Sequence, residues 1–208
     1  MTKMRTPAYR IETERTVLRC WQPTDAPLLS AAIEASLAHL RGWMPWAAGE
    51  PKSLDERAAF LRAMRAGFDR DEEYVYGIFN RDESAVIGGT GLHRRDDGNC
   101  LEIGYWIHVD HIGRGLATEI SAALTKAAFE IYGVDWVEIR CDPNNARSAT
   151  VPRKLGYTFE ATLRRRRTTP LGQPEGTMIW SLFADEFPNS PAAMAEMRAF
   201  DILGREIE

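Results

Sequence analysis

The chain has 208 residues, 44% hydrophobic and 27% charged, with a formal net charge of −4 and a pI near 5.7. One large core fits this length, and the acidic balance argues against a partner such as nucleic acid, held through overall positive charge. Cys20, Cys100 and Cys141 lack CxxC spacing, no apolar run reaches the ~18 residues of a membrane span, and the N-terminus has no secretory apolar segment. The expectation is a cytoplasmic protein with no membrane partner.

In chain order, residues 15–20 (RTVLRC) read as a short strand. Thr24 then has N-cap chemistry, and Leu28, Leu29, Ala32, Ile33, Leu37 and Leu40 share one helical face. Gly42, Pro45, Gly49 and Pro51 break the loop RGWMPWAAGEP. Ser53 and Glu56 stand at capping-box spacing and open a second helix. YVYGIF and SAVIGGTGLH are two strands across the polar turn NRDE. CLEIGYWIHV alternates, with Leu101, Ile103, Tyr105, Ile107 and Val109 on one face and Glu102, Gly104, Trp106 and His108 on the other. The next helix buries Leu116, Ile120, Ala123, Leu124, Ala127 and Ile131, and Gly133 suits its C-terminal cap. WVEIRC is a strand and NARSATVPRKLGY a short helix. TFEATLRRRRTT and GTMIWSLFADEF make a final hairpin, and the tail from Pro188 is a short helix or partly loose. This order predicts one α/β (α+β) domain over residues 10–187, a mixed central sheet flanked by helices with a C-terminal β-hairpin, and a tail over 188–208.

The junction HIGRGLATEI raises a chemical question. Glycines weaken a strand-to-helix connection unless the backbone turns sharply there or something approaches it closely. Strand, then GRG, then helix presents free N–H groups and the positive end of a helix dipole, which together suit an anion. A tight packing turn would use the same residues. The chain lacks GxxxxGK[ST], and Thr118 stands where a dinucleotide fingerprint needs its third glycine.

Ile112-Gly113-Arg114-Gly115-Leu116-Ala117 resembles the acyl-CoA pyrophosphate loop of GCN5-related N-acetyltransferases, with Ile112 in place of the usual Gln or Arg. Asn145, Ser148, Lys154, Leu155, Gly156 and Tyr157 resemble a second segment of that family. The N-terminal strand region and the final hairpin resemble the subgroup of ribosomal-protein-alanine N-acetyltransferases (RimJ/RimL type). The resemblance implies acetyl-CoA as co-substrate, without a metal, and acetyl transfer to a primary amine in a ternary complex. It places Ile107, His108, Val109, Ile112, Gly113, Arg114, Gly115, Leu116, Ala117, Thr118, Asn145 and Ser148 on the acyl-CoA. A backbone N–H near Val109, at a bulge, would polarise the carbonyl.

Such a transfer needs a base for the ammonium and help for the departing thiolate. Glu102 is the first candidate base, since Gly104 leaves volume beside it. An ordinary pairing of Glu102 with an arginine is the competing reading, and His108 is the alternative base. The family's tyrosine acid is missing, because Pro152 occupies that position. Ser148 remains, either as hydrogen-bond donor to the sulfur or merely as a helix cap. Trp43 and Trp46 serve as core anchors and, by the resemblance, as a wall of the acceptor pocket together with Glu102. Arg164 and Arg166 would face one way in a strand and Arg165 and Arg167 the other, which is no continuous nucleic-acid stripe. The exposed hairpin offers an edge for a homodimer. A non-catalytic acyl-CoA-binding module would share the glycine loop and lack the acid and base.

Overall fold

The computed structural model describes residues 6–95, 98–168 and 173–208. The elements follow one another as β1 (Arg10–Glu12), β2 (Thr16–Cys20), α1 (Ala26–Leu40), α2 (Leu54–Asp69), β3 (Glu73–Asn80), β4 (Val86–Arg94), β5 (Cys100–Ile107) and α3 (Leu116–Ala127). Then come β6 (Trp136–Cys141), α4 (Ala146–Lys154), β7 (Thr158–Thr168), β8 (Pro174–Phe183) and β9 (Arg198–Phe200). The strands make one sheet in the order β7-β8-β6-β5-β4-β3-β2-β1-β9. Every neighbouring pair is antiparallel except β5 with β6.

The two faces of the sheet bury different helices. α1 and α2 cover Val17, Trp21, Phe79 and Val86. α3 and α4 cover Leu101, Ile103, Val137 and Ile139. The expected stripe of α3 is buried at Leu116, Ile120, Ala123, Leu124 and Ala127, and each large apolar side chain removed from water there contributes about 1.5–3 kcal/mol. Gly133 ends that segment at φ 60°, after a π-helical turn over Ala128–Tyr132. The capping box of α2 is formed in both directions, Glu56 N–H to Ser53 Oγ at 3.3 Å and Ser53 N–H to Glu56 Oε2 at 2.8 Å.

Thr24 does not cap α1. Pro23–Asp25 form a 3-10 turn, and Asp25 accepts from the Gln22 N–H at 2.8 Å while paired with Arg19 at 2.8 Å. Asp25, the residue after Thr24, is the N-cap of α1, and its carboxylate turns back to Gln22 and Arg19 without capping the helix. The tail is neither helical nor loose at its end. After two 3-10 turns it adds β9 to the sheet edge, where Arg10 faces Phe200 and Ile11 faces Ala199. Strands of three residues carry too little alternation to be recognised, which also hid β1. In β7 the alternation of the four arginines is interrupted. Leu163 faces Thr177 and Arg167 faces Glu175, so three residues oppose one, and Arg165 takes φ 55°. Thr169, expected in that strand, lies outside the described residues.

One irregularity positions the site. β5 and β6 pair only from Cys100 opposite Trp136 to Ile103 opposite Ile139. Beyond that, β6 follows β8 through Arg140 and Cys141, and β5 stays on β4 through Ile107. The sheet therefore divides just past Ile103.

Candidate active site

The glycine loop is built by backbone conformation. Gly113 and Gly115 take φ 74° and 78°, a region that costs residues with a Cβ roughly 1–2 kcal/mol. Gly115 is the N-cap of α3 and supplies no side chain to cap it. The first-turn amides of Leu116, Ala117 and Thr118 consequently carry no hydrogen bond among the described residues. These are the groups that bind anions at helix starts. Ile112 packs on the core beneath. Arg15, unmarked by any sequence motif, pins the loop from β2's approach. Its Nη1 donates to the Arg114 carbonyl at 2.8 Å and its Nε to Glu119 Oε2 at 2.5 Å. The pairing neutralises the one carboxylate of α3's first turn.

Near the loop, two expectations change. The β4–β5 register runs without a shift from Gly88 opposite Ile107 to Arg94 opposite Leu101, so there is no bulge. Val109 sits in a 3-10 turn and its N–H donates to Ser36 Oγ of α1 at 3.1 Å, which leaves the expected polarising amide with a protein partner. His108 Nδ1 accepts from the Asp110 N–H at 3.1 Å and lines no part of the cleft described next. His111 is held below the usual imidazole range by burial and by the charges of His108 and Arg114. Ile107 lies in the core.

A cleft of about 1140 Å³ passes through the divided sheet. On the α3/α4 side it meets Asn145 and Ser148, and on the α1/α2 side Glu102, Gly104 and Trp106. None of residues 107–118 lines it, so the glycine loop and the cleft adjoin the same β5 without sharing a cavity. Asn145 caps α4, its Oδ1 accepting from the Ser148 N–H at 3.0 Å. Ser148 is therefore not the cap, and its hydroxyl lies 2.9 Å from the Tyr105 phenol. Pro152 is buried in α4, and the family's phenol is absent there as expected. Tyr105 brings another phenol to the same place from β5. Burial raises the Tyr105 hydroxyl far above its ordinary range, and the bond to Ser148 only partly offsets this.

On the other face Glu102 lies in the cleft wall, largely buried, with the arginine partners of the competing reading. Arg95 Nε donates to its Oε2 at 2.8 Å and Arg140 Nε lies 3.2 Å from the same atom. Arg140 also holds Glu138 at 2.7 Å. The volume expected beside Gly104 is filled by the His93 ring, since a Cβ on Gly104 would meet His93 Nε2 at 3.2 Å. His93 Nδ1 stands 3.1 Å from Glu73 Oε2. Sequence reasoning missed this residue, because its nearness to Gly104 depends on the β4–β5 register. Trp43 and Trp46 line the cleft with Trp106. Trp46, 42% exposed and edge-on to Trp106 at 6.2 Å, is a wall rather than a core anchor. Arg57 and Glu50, both buried, form an ion pair at 2.5 Å behind this loop. Among the described residues no three His, Cys, Asp or Glu side chains converge as a metal site.

Comparison with known proteins places the chain in a family. The chain is 28% identical over 153 residues to the "Putative ribosomal N-acetyltransferase YdaF" of Bacillus subtilis (strain 168), covering 73% of this chain and 82% of that one. Two solved structures share the fold. RimL, the ribosomal L7/L12 alpha-N-protein acetyltransferase in complex with coenzyme A, matches at TM-score 0.75 and 18% identity, over 84% of this chain and 97% of RimL. The microcin C7 self-immunity acetyltransferase MccE, in complex with acetyl-CoA and AMP, matches at TM-score 0.74 and 17% identity, over 82% and 93%. The acetyltransferase (GNAT) domain family matches residues 15–158, and with its divided sheet and uncapped glycine loop the chain belongs to that family.

Proposed function

We propose that the chain transfers an acetyl group from acetyl-CoA to a primary amine, on a protein N-terminus or a small molecule. The observation that carries this reading is the cleft through the divided sheet, which gives two reactants access to one point from opposite faces. On the α3 face, Gly113 to Thr118 offer open amides to a pyrophosphate. Asn145 and Ser148 stand where the thiol end of the donor would reach the gap, and the Ser148 hydroxyl, steadied by Tyr105, hydrogen-bonds the departing sulfur. The residues fit acetyl-CoA in one respect that packing alone leaves unexplained, a helix start with neither cap nor partner for its first amides.

On the other face the acceptor enters between the aromatic wall of Trp43, Trp46 and Trp106 and the carboxylate of Glu73, which favours an ammonium. An α-amine ordinarily titrates at about 7.7–8.0 and a lysine at about 10.4, so the α-amine loses its proton with less help. RimL, by its name, acts on such an amine. In this reading the protein works in the cytoplasm, and β7, an edge strand with Phe159 exposed, is the surface for a homodimer.

The test is thiol release at fixed acetyl-CoA across a panel of peptide N-termini, small amines and lysine peptides, beside a calorimetric titration with CoA. Binding with turnover on α-amines or small amines is expected. Binding without turnover on any amine would make the chain an acyl-CoA-binding module. Lysine peptides outcompeting both other groups would overturn the acceptor class.

A further inference from the structure

We propose that His93, with its ring held by Glu73, is the catalytic residue that takes the proton from the acceptor ammonium. The assignment rests on acetyl transfer being the reaction.

The β4–β5 register puts His93 opposite Glu102 and Gly91 opposite Gly104, all four on one face. A Cβ on Gly91 would stand 2.9 Å from His93 Nε2, and a Cβ on Gly104 3.2 Å from it. The Nε2 edge of the imidazole therefore lies over two facing glycines, in space that a side chain at either position would narrow or close. Paired glycines in central strands weaken a sheet, and here they admit a ring. Gly104 is the first β5 residue beyond the last pair with β6, at Ile103 and Ile139. Nε2 thus stands at the mouth of the gap. Tyr105, the next residue, points to the opposite face and reaches Ser148 there. The strand's alternation places the imidazole and the serine hydroxyl on either side of the point where the reactants meet.

The hydrogen bonding assigns the protons. A carboxylate only accepts, so the 3.1 Å contact with Glu73 places a hydrogen on Nδ1 and leaves the lone pair on Nε2. Nε2 has no hydrogen-bond partner among the described residues. Glu102 differs, since Arg95 and Arg140 both hold its Oε2. The charged groups that line the cleft with the ring are Glu50 and Lys52 before α2, Arg57 in α2, Glu73 from β3, Arg95 after β4, Glu102 from β5, Glu138 and Arg140 from β6 with Asp142 after it, and Arg166 from β7. Glu50, Glu102 and Glu138 are each paired with a guanidinium, whereas Glu73 holds the ring.

In the transfer, one ammonium proton passes to Nε2 and then to solvent. The freed lone pair forms the C–N bond to the thioester carbon and the C–S bond breaks. The second nitrogen proton ends on the departing sulfur, past Ser148.

The experiment compares pH profiles of kcat/KM for wild type, His93→Ala, His93→Gln, Glu73→Gln and Glu102→Gln, with CoA affinity as the check on folding. At neutral pH both His93 variants should lose 10²-fold or more and the acidic limb of the profile. Activity should return as pH rises and the amine deprotonates by itself, and added imidazole should rescue His93→Ala. Glu73→Gln should lower kcat while leaving CoA affinity unchanged, since the ring loses the acceptor that fixes its Nδ1–H. A merely structural histidine would produce neither the recovery nor the imidazole rescue. If His93→Gln keeps the limb while Glu102→Gln abolishes it, Glu102 is the base and the proposal fails. Absence of thiol release by the wild type with every amine fails the transfer reading itself, a distinct result.

Discussion

Replacing Gly115 by valine tests whether the loop holds acetyl-CoA. Gly115 has φ 78°, and around its missing side chain the only nearby atom is Arg15 Nη2 at 3.7 Å, an ordinary contact. The Cβ itself therefore meets no clash, and its cost is conformational, roughly 1–2 kcal/mol in the left-handed region. That strain alone should lower the melting temperature by about 2–8 °C for a domain of this size. The branched side chain also stands beside the first-turn amides of α3, where a phosphate would lie. A tenfold or greater loss of CoA affinity is expected, at least ~1.4 kcal/mol. Gly204→Val is the control. Gly204 has φ 74° with nothing within 4 Å, so it carries the same strain in the tail, away from the loop. The assay is calorimetric titration with CoA on both variants beside thermal melts. A folded Gly115→Val protein with wild-type CoA affinity would refute the loop assignment. Equal loss in both variants would refute it too, since general destabilisation would then explain the effect.

Three further outcomes follow from the same contacts. Tyr105→Phe should lower kcat about 2- to 13-fold, the value of a neutral hydrogen bond of about 0.5–1.5 kcal/mol, and should have no further effect in a Ser148→Ala background; additive losses in that double-mutant cycle would show that Tyr105 does not act through Ser148. Arg15→Met should weaken CoA binding most at low salt, because it exposes Glu119 to the pyrophosphate, and Glu119→Gln in the same chain should restore affinity; a salt-independent loss would contradict this electrostatic account. Burial by itself raises Glu83, but hydrogen bonds from Arg10 and Arg19 bring it below the ordinary carboxylate range. Its stabilising contribution is thus present above the unfolded value of about 4.3 and lost as pH falls through the folded one. Thermal melts from pH 7 to 3 should show a shallower acid decline for Glu83→Gln, and an unchanged slope would remove this pair from the acid response.

The chain's own pattern determined a good deal about this protein. Period-2 alternation in residues 100–107 and the 3.6-residue stripe of α3 each report which face meets a core, and one core per face suffices to place a strand or a helix. That Gly113 and Gly115 mark a sharp turn before a helix was legible for a local reason, since glycine there weakens the chain unless the backbone needs it. What the tertiary structure decided depends on register and on distant partners. β6 departs from β5 after Ile103 while each keeps its partner on the other side, β8 for β6 and β4 for β5, and no local stretch records that parting. Ser148 stood open between helix cap and donor to the sulfur, and only the fold shows Asn145 as the cap and Tyr105, 43 residues away in sequence, at its hydroxyl. Glu102 stood beside an apparent void because Gly104 is its neighbour in the strand, while the ring that fills the void comes from β4. Side-chain chemistry at spacings within one element follows from backbone geometry. Which groups face one another across a gap follows only from how the strands pair, and the candidate acid and base both lie across such a gap.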